Sequence, residues 1–153
     1  MEGLHRIVLA AVLLLLSGGV ACANDFKTCA SGAPDDAIMA CTNLIEGGQL
    51  DMRQQAIAYT KRGAAFRIRG GLQRALADLN RAIELDSSLA PIYANRGLVY
   101  MYMGEPDPAL ADLNRALELD PNNPVFYLNR GAVYQRLKDK DRALADYDRA
   151  IEL

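Results

Sequence analysis

The chain repeats itself at a fixed step. Arg62-Gly63 returns as Arg96-Gly97 and as Arg130-Gly131. Ala75-Leu76-Ala77-Asp78 returns as Ala109-Leu110-Ala111-Asp112 and as Ala143-Leu144-Ala145-Asp146, each time 34 residues on. A period of that length cannot close a single globular core. It is the mark of small helical units that bury their apolar faces only by stacking on one another, and such arrays work through an extended surface. The predicted fold is all-α, an α-solenoid of antiparallel helix pairs.

Within each unit the second segment has the rhythm of a one-sided helix. Ala75, Leu76, Leu79, Ala82 and Ile83 fall at i, i+3, i+4 spacing, as do Ala109, Leu110, Leu113, Ala116 and Leu117, and Ala143, Leu144, Tyr147, Ala150 and Ile151. In the first segment of the middle unit, Tyr93, Gly97 and Tyr100 share one side. Glycine inside a helix costs about 1 kcal/mol relative to alanine. Its return at 63, 97 and 131 therefore predicts close approach of the paired helix, with Ala75, Ala109 and Ala143 opposite. Pro121-Asn122-Asn123-Pro124 predicts the end of one helix and the start of the next. Asp107-Pro108 reads as an N-cap followed by proline at the first helical position.

These residues resemble the 34-residue tetratricopeptide repeat. Its pattern asks for a bulky residue at position 4 (Tyr59, Tyr93, Tyr127), Gly at 8 (Gly63, Gly97, Gly131) and an aromatic at 11 (Phe66, Tyr100, Tyr134). It also asks for Ala at 20 (Ala75, Ala109, Ala143), an aromatic at 24, which is Tyr147 in the third unit but Leu79 and Leu113 in the first two, Ala at 27 (Ala82, Ala116, Ala150) and Pro at 32, which is Pro121 in the second unit and Ser87 in the first. The units are 56–89, 90–123 and an incomplete 124–153, and the layout looks like that of exported bacterial tetratricopeptide proteins. Residues 24–55 read as an N-terminal capping half-repeat, because Ala37–Ile45 lines up with Ala75–Ile83 and places Cys41 where Leu79 stands. Asp35–Glu46 would be its helix, ended by Gly47-Gly48. The departure from the family is position 7, usually Leu, here Arg62, Arg96 and Arg130. Matched by Asp78, Asp112 and Asp146, these predict one ion pair per unit, with the arginine head left in water.

The resemblance implies a binding surface on the first helices, at positions 2, 5, 6, 9, 12 and 13. In the first unit these are Ile57, Thr60, Lys61, Ala64, Arg67 and Ile68. In the second they are Pro91, Ala94, Asn95, Leu98, Met101 and Tyr102, and in the third Val125, Leu128, Asn129, Ala132, Gln135 and Arg136. The expected groove is largely apolar, with amides and a few basic groups. The clamp by which some relatives hold a terminal carboxylate, Lys at 5 and Asn at 9, is missing. Thr60, Ala94 and Leu128 fill the first position, and Ala64, Leu98 and Ala132 the second. Asn95 and Asn129 are instead expected to bond the backbone of an extended peptide, and Leu98, Met101, Tyr102 and Leu128 to take an apolar strand or helix.

Residues 1–23 have the layout of a signal peptide: Arg6, the unbroken apolar run Ile7–Leu16, then small residues ending in Ala21-Cys22-Ala23. The apolar run is shorter than the roughly 20 residues of a membrane span. The expectation is export to the periplasm with cleavage after Ala23. The alternative is lipid attachment at Cys22, which Gly19 disfavours, since a branched aliphatic residue is wanted there; only then would a membrane be a partner. Cleavage would remove His5, the only histidine, from a chain that has no Trp, and with it the commonest acid–base and metal chemistries. Two cysteines would remain. Cys29 and Cys41 in an oxidising compartment read as a disulfide; in a reducing one they would be buried thiols.

The formal charge of -2, with acidic and basic residues alternating along the helices, argues against a phosphate backbone as ligand. The sequence thus reads as a non-catalytic protein–protein interaction scaffold without cofactor or metal, binding a peptide or protein. Leu153 falls mid-helix at position 30, with no polar capping helix after it. That suggests a truncated longer array, or an end surface open to self-association.

Overall fold

A computed structural model describes residues 25–153, so the expected signal segment and Cys22 lie outside the described residues. Helix α1 occupies residues 25–31 of the described chain. It is followed by α2 (Pro34–Glu46), α3 (Met52–Ile68), α4 (Leu72–Leu85), α5 (Ala90–Met103), α6 (Pro106–Leu119), α7 (Pro124–Arg136) and α8 (Lys140–Glu152). There is no strand among the described residues. The all-α solenoid is what the repeat spacing dictates.

Local chemistry sets the helix ends. Asp51 and Gln54 form a capping box on α3: the Gln54 amide donates to the Asp51 carboxylate at 2.7 Å and the Asp51 amide to Gln54 Oε1 at 3.0 Å. Proline opens α2, α5, α6 and α7, where its missing N–H costs nothing. One expectation is corrected here. The proline that starts α6 is Pro106, two residues earlier than Asp107-Pro108 would suggest, and Glu105, not Asp107, is the N-cap. Asp107 instead lies in the first turn, where its charge suits the helix dipole. The turn inside each unit reverses the chain with one residue in the left-handed conformation, Gly70 at φ 77°, Gly104 at φ 80° and Lys138 at φ 62°. Lysine holds there what glycine adopts freely.

Each first helix packs on its own second helix across the predicted glycine. A Cβ on Gly97 would lie 3.0 Å from the Ala109 carbonyl oxygen and 3.0 Å from Leu113 Cγ; on Gly63 it would meet Leu79 and Ala75 in the same way. At Gly131 the neighbour is the Tyr147 ring instead of Ala143. Packing between units uses positions 3 and 10, which the sequence reading did not single out. Ile92 and Val99 join Ala75, Leu79 and Ala82 of the preceding unit, and Phe126 and Val133 join Ala109, Leu113 and Ala116. Ile92, Val99, Leu79 and Leu113 are fully buried. Tyr93 and Tyr127 donate their hydroxyls to the carbonyls of Ser87 and Pro121, pinning the turns between units.

The ion pairs form in all three units, but not as surface pairs. Arg96 Nε and Nη2 donate to both Asp112 oxygens at 2.7 and 2.8 Å, and its Nη1 reaches Asn80 of the preceding unit at 2.8 Å. Arg130 repeats this with Asp146 and Asn114, and Arg62 with Asp78 and Thr42. The three aspartates are buried. Each arginine also lies over the aromatic at position 4, with Arg62 5.3 Å from the Tyr59 ring centre and Arg130 5.6 Å from that of Tyr127. The guanidinium is therefore less open than expected: aromatic rings and the neighbouring unit cover much of it, leaving the arginine side chains 17%, 21% and 22% exposed. The paired hydrogen bonds to aspartate raise each arginine above its ordinary pKa, against the opposing effect of burial.

At the N-terminal end, Cys29 and Cys41 are disulfide-bonded, with Cα atoms 4.8 Å apart. The bridge ties α1 to α2. Cys41, Leu44 and Ala40 then cover Ala58 of α3. The N-terminal unit is thus a helix pair with a short first member, fuller than the half-repeat expected from sequence.

Two outcomes follow for stability, both read by chemical denaturation. Lys138→Gly is expected to stabilise the chain by about 1 kcal/mol, the cost of a left-handed non-glycine residue. Asp112→Ala, which strands a largely buried guanidinium, is expected to cost about 3 kcal/mol, whereas Glu118→Ala, which breaks the exposed Arg115–Glu118 pair, should cost less than about 0.5 kcal/mol.

Candidate binding groove

The stack curves with its first helices inside. Helix α3 touches α5 and α5 touches α7, while α4, α6 and α8 do not touch one another among the described residues. The concave wall is therefore α3, α5 and α7, as the repeat positions imply.

The side chains expected on that wall divide into three groups. Thr60 and Ala94 are buried and offer no contact surface, and Met101 is buried too, showing only at the wall of the cavity described below. Thr60 is turned into the helix, where its hydroxyl donates to the Ala56 carbonyl at 2.6 Å, and Ala94 and Met101 belong to the core between the second and third units. This corrects their expected role. Ala64, Leu98, Asn95, Asn129 and Ala132 are half-buried and form the floor. Ile57, Ile68, Tyr102, Leu128, Lys61 and Gln135 are exposed, as are Pro91 and Val125 at the helix starts. Of the two amides expected to bond a peptide backbone, Asn95 already has its Nδ2 donating to the Pro91 carbonyl at 2.9 Å. Gln135, also on the wall, accepts at Oε1 from the Tyr147 hydroxyl at 2.9 Å.

Two basic groups converge on one ring. The Arg67 guanidinium lies 5.7 Å and that of Arg136 5.4 Å from the centre of the half-exposed Tyr102 ring. Arg136 Nη1 donates to the Met101 carbonyl at 3.2 Å. Arg67 Nε is shielded from solvent and donates to nothing among the described residues. Beside Arg136 an open cavity of about 270 Å³ is lined by Met101, Gly104, Pro106, Val133 and Leu137. The ring, its two cations and the cavity come from positions 12 and 13 and the inner turn of adjacent units. Their convergence was not legible in any one repeat.

The charge on this wall is one-sided. Helices α3, α5 and α7 contain no Asp or Glu, so the alternation of charge expected along the helices is corrected: the acids sit on the second helices and in the turns. Arg53, Arg62, Arg96 and Arg130 are paired. Lys61, Arg67 and Arg136 make no ion pair among the described residues.

No group of His, Cys, Asp and Glu side chains among the described residues could hold a metal. No described helix is long and apolar enough to cross a membrane.

Comparison with known proteins agrees with this architecture. The tetratricopeptide repeat pattern matches residues 90–123 and 124–153, and a second TPR repeat pattern matches 63–104. The crystal structure of MamA is 31% identical, with 79% of this chain and 68% of that chain covered and a TM-score of 0.64. The second TPR domain of Spaghetti (RPAP3), bound to the HSP90 peptide SRMEEVD, is 29% identical over 66% of this chain and 94% of that one, with a TM-score of 0.62. The TPR domain of Arabidopsis OM64 shares the fold at 24% identity, with 67% and 84% covered and a TM-score of 0.63. No curated protein matches the sequence. The chain belongs to the tetratricopeptide repeat family.

Proposed function

We propose that this protein is a non-catalytic scaffold that holds a peptide or protein partner in the groove of α3, α5 and α7. The observation that carries the reading is the wall itself, which presents exposed Ile57, Ile68, Tyr102 and Leu128 together with Lys61, Arg67 and Arg136. Apolar side chains clustered on the inside of a curved stack are what a binding surface of this kind requires. The peptide-bound Spaghetti domain supports it by likeness. Leu128→Asp places a charge on the α7 part of the wall without touching the buried ladder. It is expected to weaken capture of the partner at least tenfold, a change of about 1.4 kcal/mol, with an unchanged helical circular-dichroism spectrum. Undiminished capture would remove the groove from the mechanism.

The scaffold is assigned to the bacterial periplasm on the signal-like residues 1–23, and the Cys29–Cys41 bridge is in keeping with an oxidising compartment. Intact mass of the protein isolated from its cells is expected to begin at Asn24 and to rise by about 2 Da on reduction, one hydrogen per thiol released. A mass that retains Met1, or carries acyl chains on Cys22, would replace this reading with membrane tethering.

A second reading rests on the face of α8. Leu144 and Ile151 are 60% and 82% exposed, while Leu117, the equivalent of Ile151 one unit earlier, is 8% exposed beneath the next unit. Self-assembly through this face would cover it. Ile151→Lys is expected to reduce any concentration-dependent rise in mass seen by sedimentation; a wild-type mass constant with concentration would rule self-assembly out.

A further inference from the structure

We infer that the partner segment is acidic and carries an apolar anchor, and that Lys61, Arg67 and Arg136 read its charge while the cavity beside Arg136 takes the anchor. This inference rests on the groove reading above and adds the chemistry of the ligand. Three observations carry it.

The first is charge. In a chain of net charge -2, the three helices of the concave wall hold no carboxylate, and Lys61, Arg67 and Arg136 on them form no ion pair among the described residues. Glu105, in the turn next to the cavity, forms no ion pair with Arg136. Unpaired cations on a concave low-dielectric surface focus a positive field into it and draw in anionic segments.

The second is the junction at Tyr102. Two guanidiniums within 6 Å of one ring centre concentrate positive charge around Tyr102, and the ring offsets that only in part. A carboxylate beside them is the complement that the site lacks. Arg67 Nε, out of water and without an acceptor, is a donor that the empty groove leaves unused, a costly arrangement for a buried group.

The third is the cavity. At about 270 Å³ it lies at the lower edge of small-molecule pockets, a size suited to a single large aliphatic or aromatic side chain. Met101, Val133 and Leu137 give it apolar walls, and Arg136 stands at its side. An anchor residue seated there would bring a flanking Asp or Glu to the guanidinium. These cations occupy positions 6, 12 and 13, whereas the carboxylate-clamp positions 5 and 9 hold Thr60, Ala94, Leu128, Ala64, Leu98 and Ala132. The mode is therefore side-chain recognition within an extended segment, not capture of a chain end.

The test selects from a display library of random dodecapeptides on the isolated protein, then measures the recovered peptides by fluorescence anisotropy. The expected peptides combine Asp or Glu with Leu, Ile, Phe or Met. Their affinity should fall with rising salt, drop about ten- to a hundredfold in Arg67→Gln/Arg136→Gln, and recover in large part in Arg67→Lys/Arg136→Lys. Melting curves confirm that both variants fold, and the salt titration reads the same charge dependence on the wild type. Recovered peptides without acidic enrichment, bound alike by wild type and the glutamine variant but lost in Leu128→Asp, would overturn the acidic assignment and leave the groove standing. No recovered peptide, or binding indifferent to Leu128→Asp, would overturn the groove reading and this inference together. A single-stranded RNA that displaces the peptides at lower concentration than they bind would make nucleic acid the ligand and overturn it as well.

Discussion

The arginine at position 7 holds three helices at once. Arg96 bonds Asp112 on its own second helix, reaches Asn80 on the second helix of the unit before, and lies against the aromatics of its own first helix. Because the aspartate is buried and the bonding is two-pronged, the contact tolerates one register only. A slip of one residue along either helix would leave a charge without its partner, at a cost of several kcal/mol. The apolar contacts at Ile92, Val99, Phe126 and Val133 supply most of the attraction between units, but they are non-directional. The arginine ladder converts that attraction into a fixed stacking geometry, and the same bonding recurs at the N-terminal end with Thr42 in place of asparagine.

The ladder also shapes the groove. It consumes one arginine of each first helix and one aspartate of each second helix, so those charges cancel inside the stack. What is left on the first helices of the three repeats is unequal: Lys61, Arg67 and Arg136 stand on the concave wall with no acid on those helices to match them. A protein of nearly balanced total charge thereby presents a positive inner face. On that face Tyr102 is exposed for contact and lies near cations from the units on either side.

Much of this was legible in the sequence, and the reason differs by element. Gly63, Gly97 and Gly131 announced close helix approach because no other explanation covers glycine repeating inside helices, and the added-Cβ distances bear that out. The pairing of Arg62, Arg96 and Arg130 with Asp78, Asp112 and Asp146 was legible from matched recurrence, but its burial was not, since the covering groups come from a neighbouring unit. Thr60, Ala94 and Met101 were assigned to the groove by position and lie in the core, because the side of a helix that faces a neighbour depends on how tightly the units turn. Positions 3 and 10 carried a visible signal, Ala58, Ile92 and Phe126 and then Ala65, Val99 and Val133, apolar at every return.

By itself the sequence determined the unit: its length, its two helices, the glycine contact between them, and the number of times the pattern returns. Those follow from local periodicity and from residue types whose cost is fixed wherever they stand. The tertiary structure alone decided the curvature, which of the candidate groove residues face outward, and the meeting of Arg67, Tyr102 and Arg136. Those depend on distances between residues of different units, set by the packing angle of one repeat on the next, a quantity no single repeat encodes.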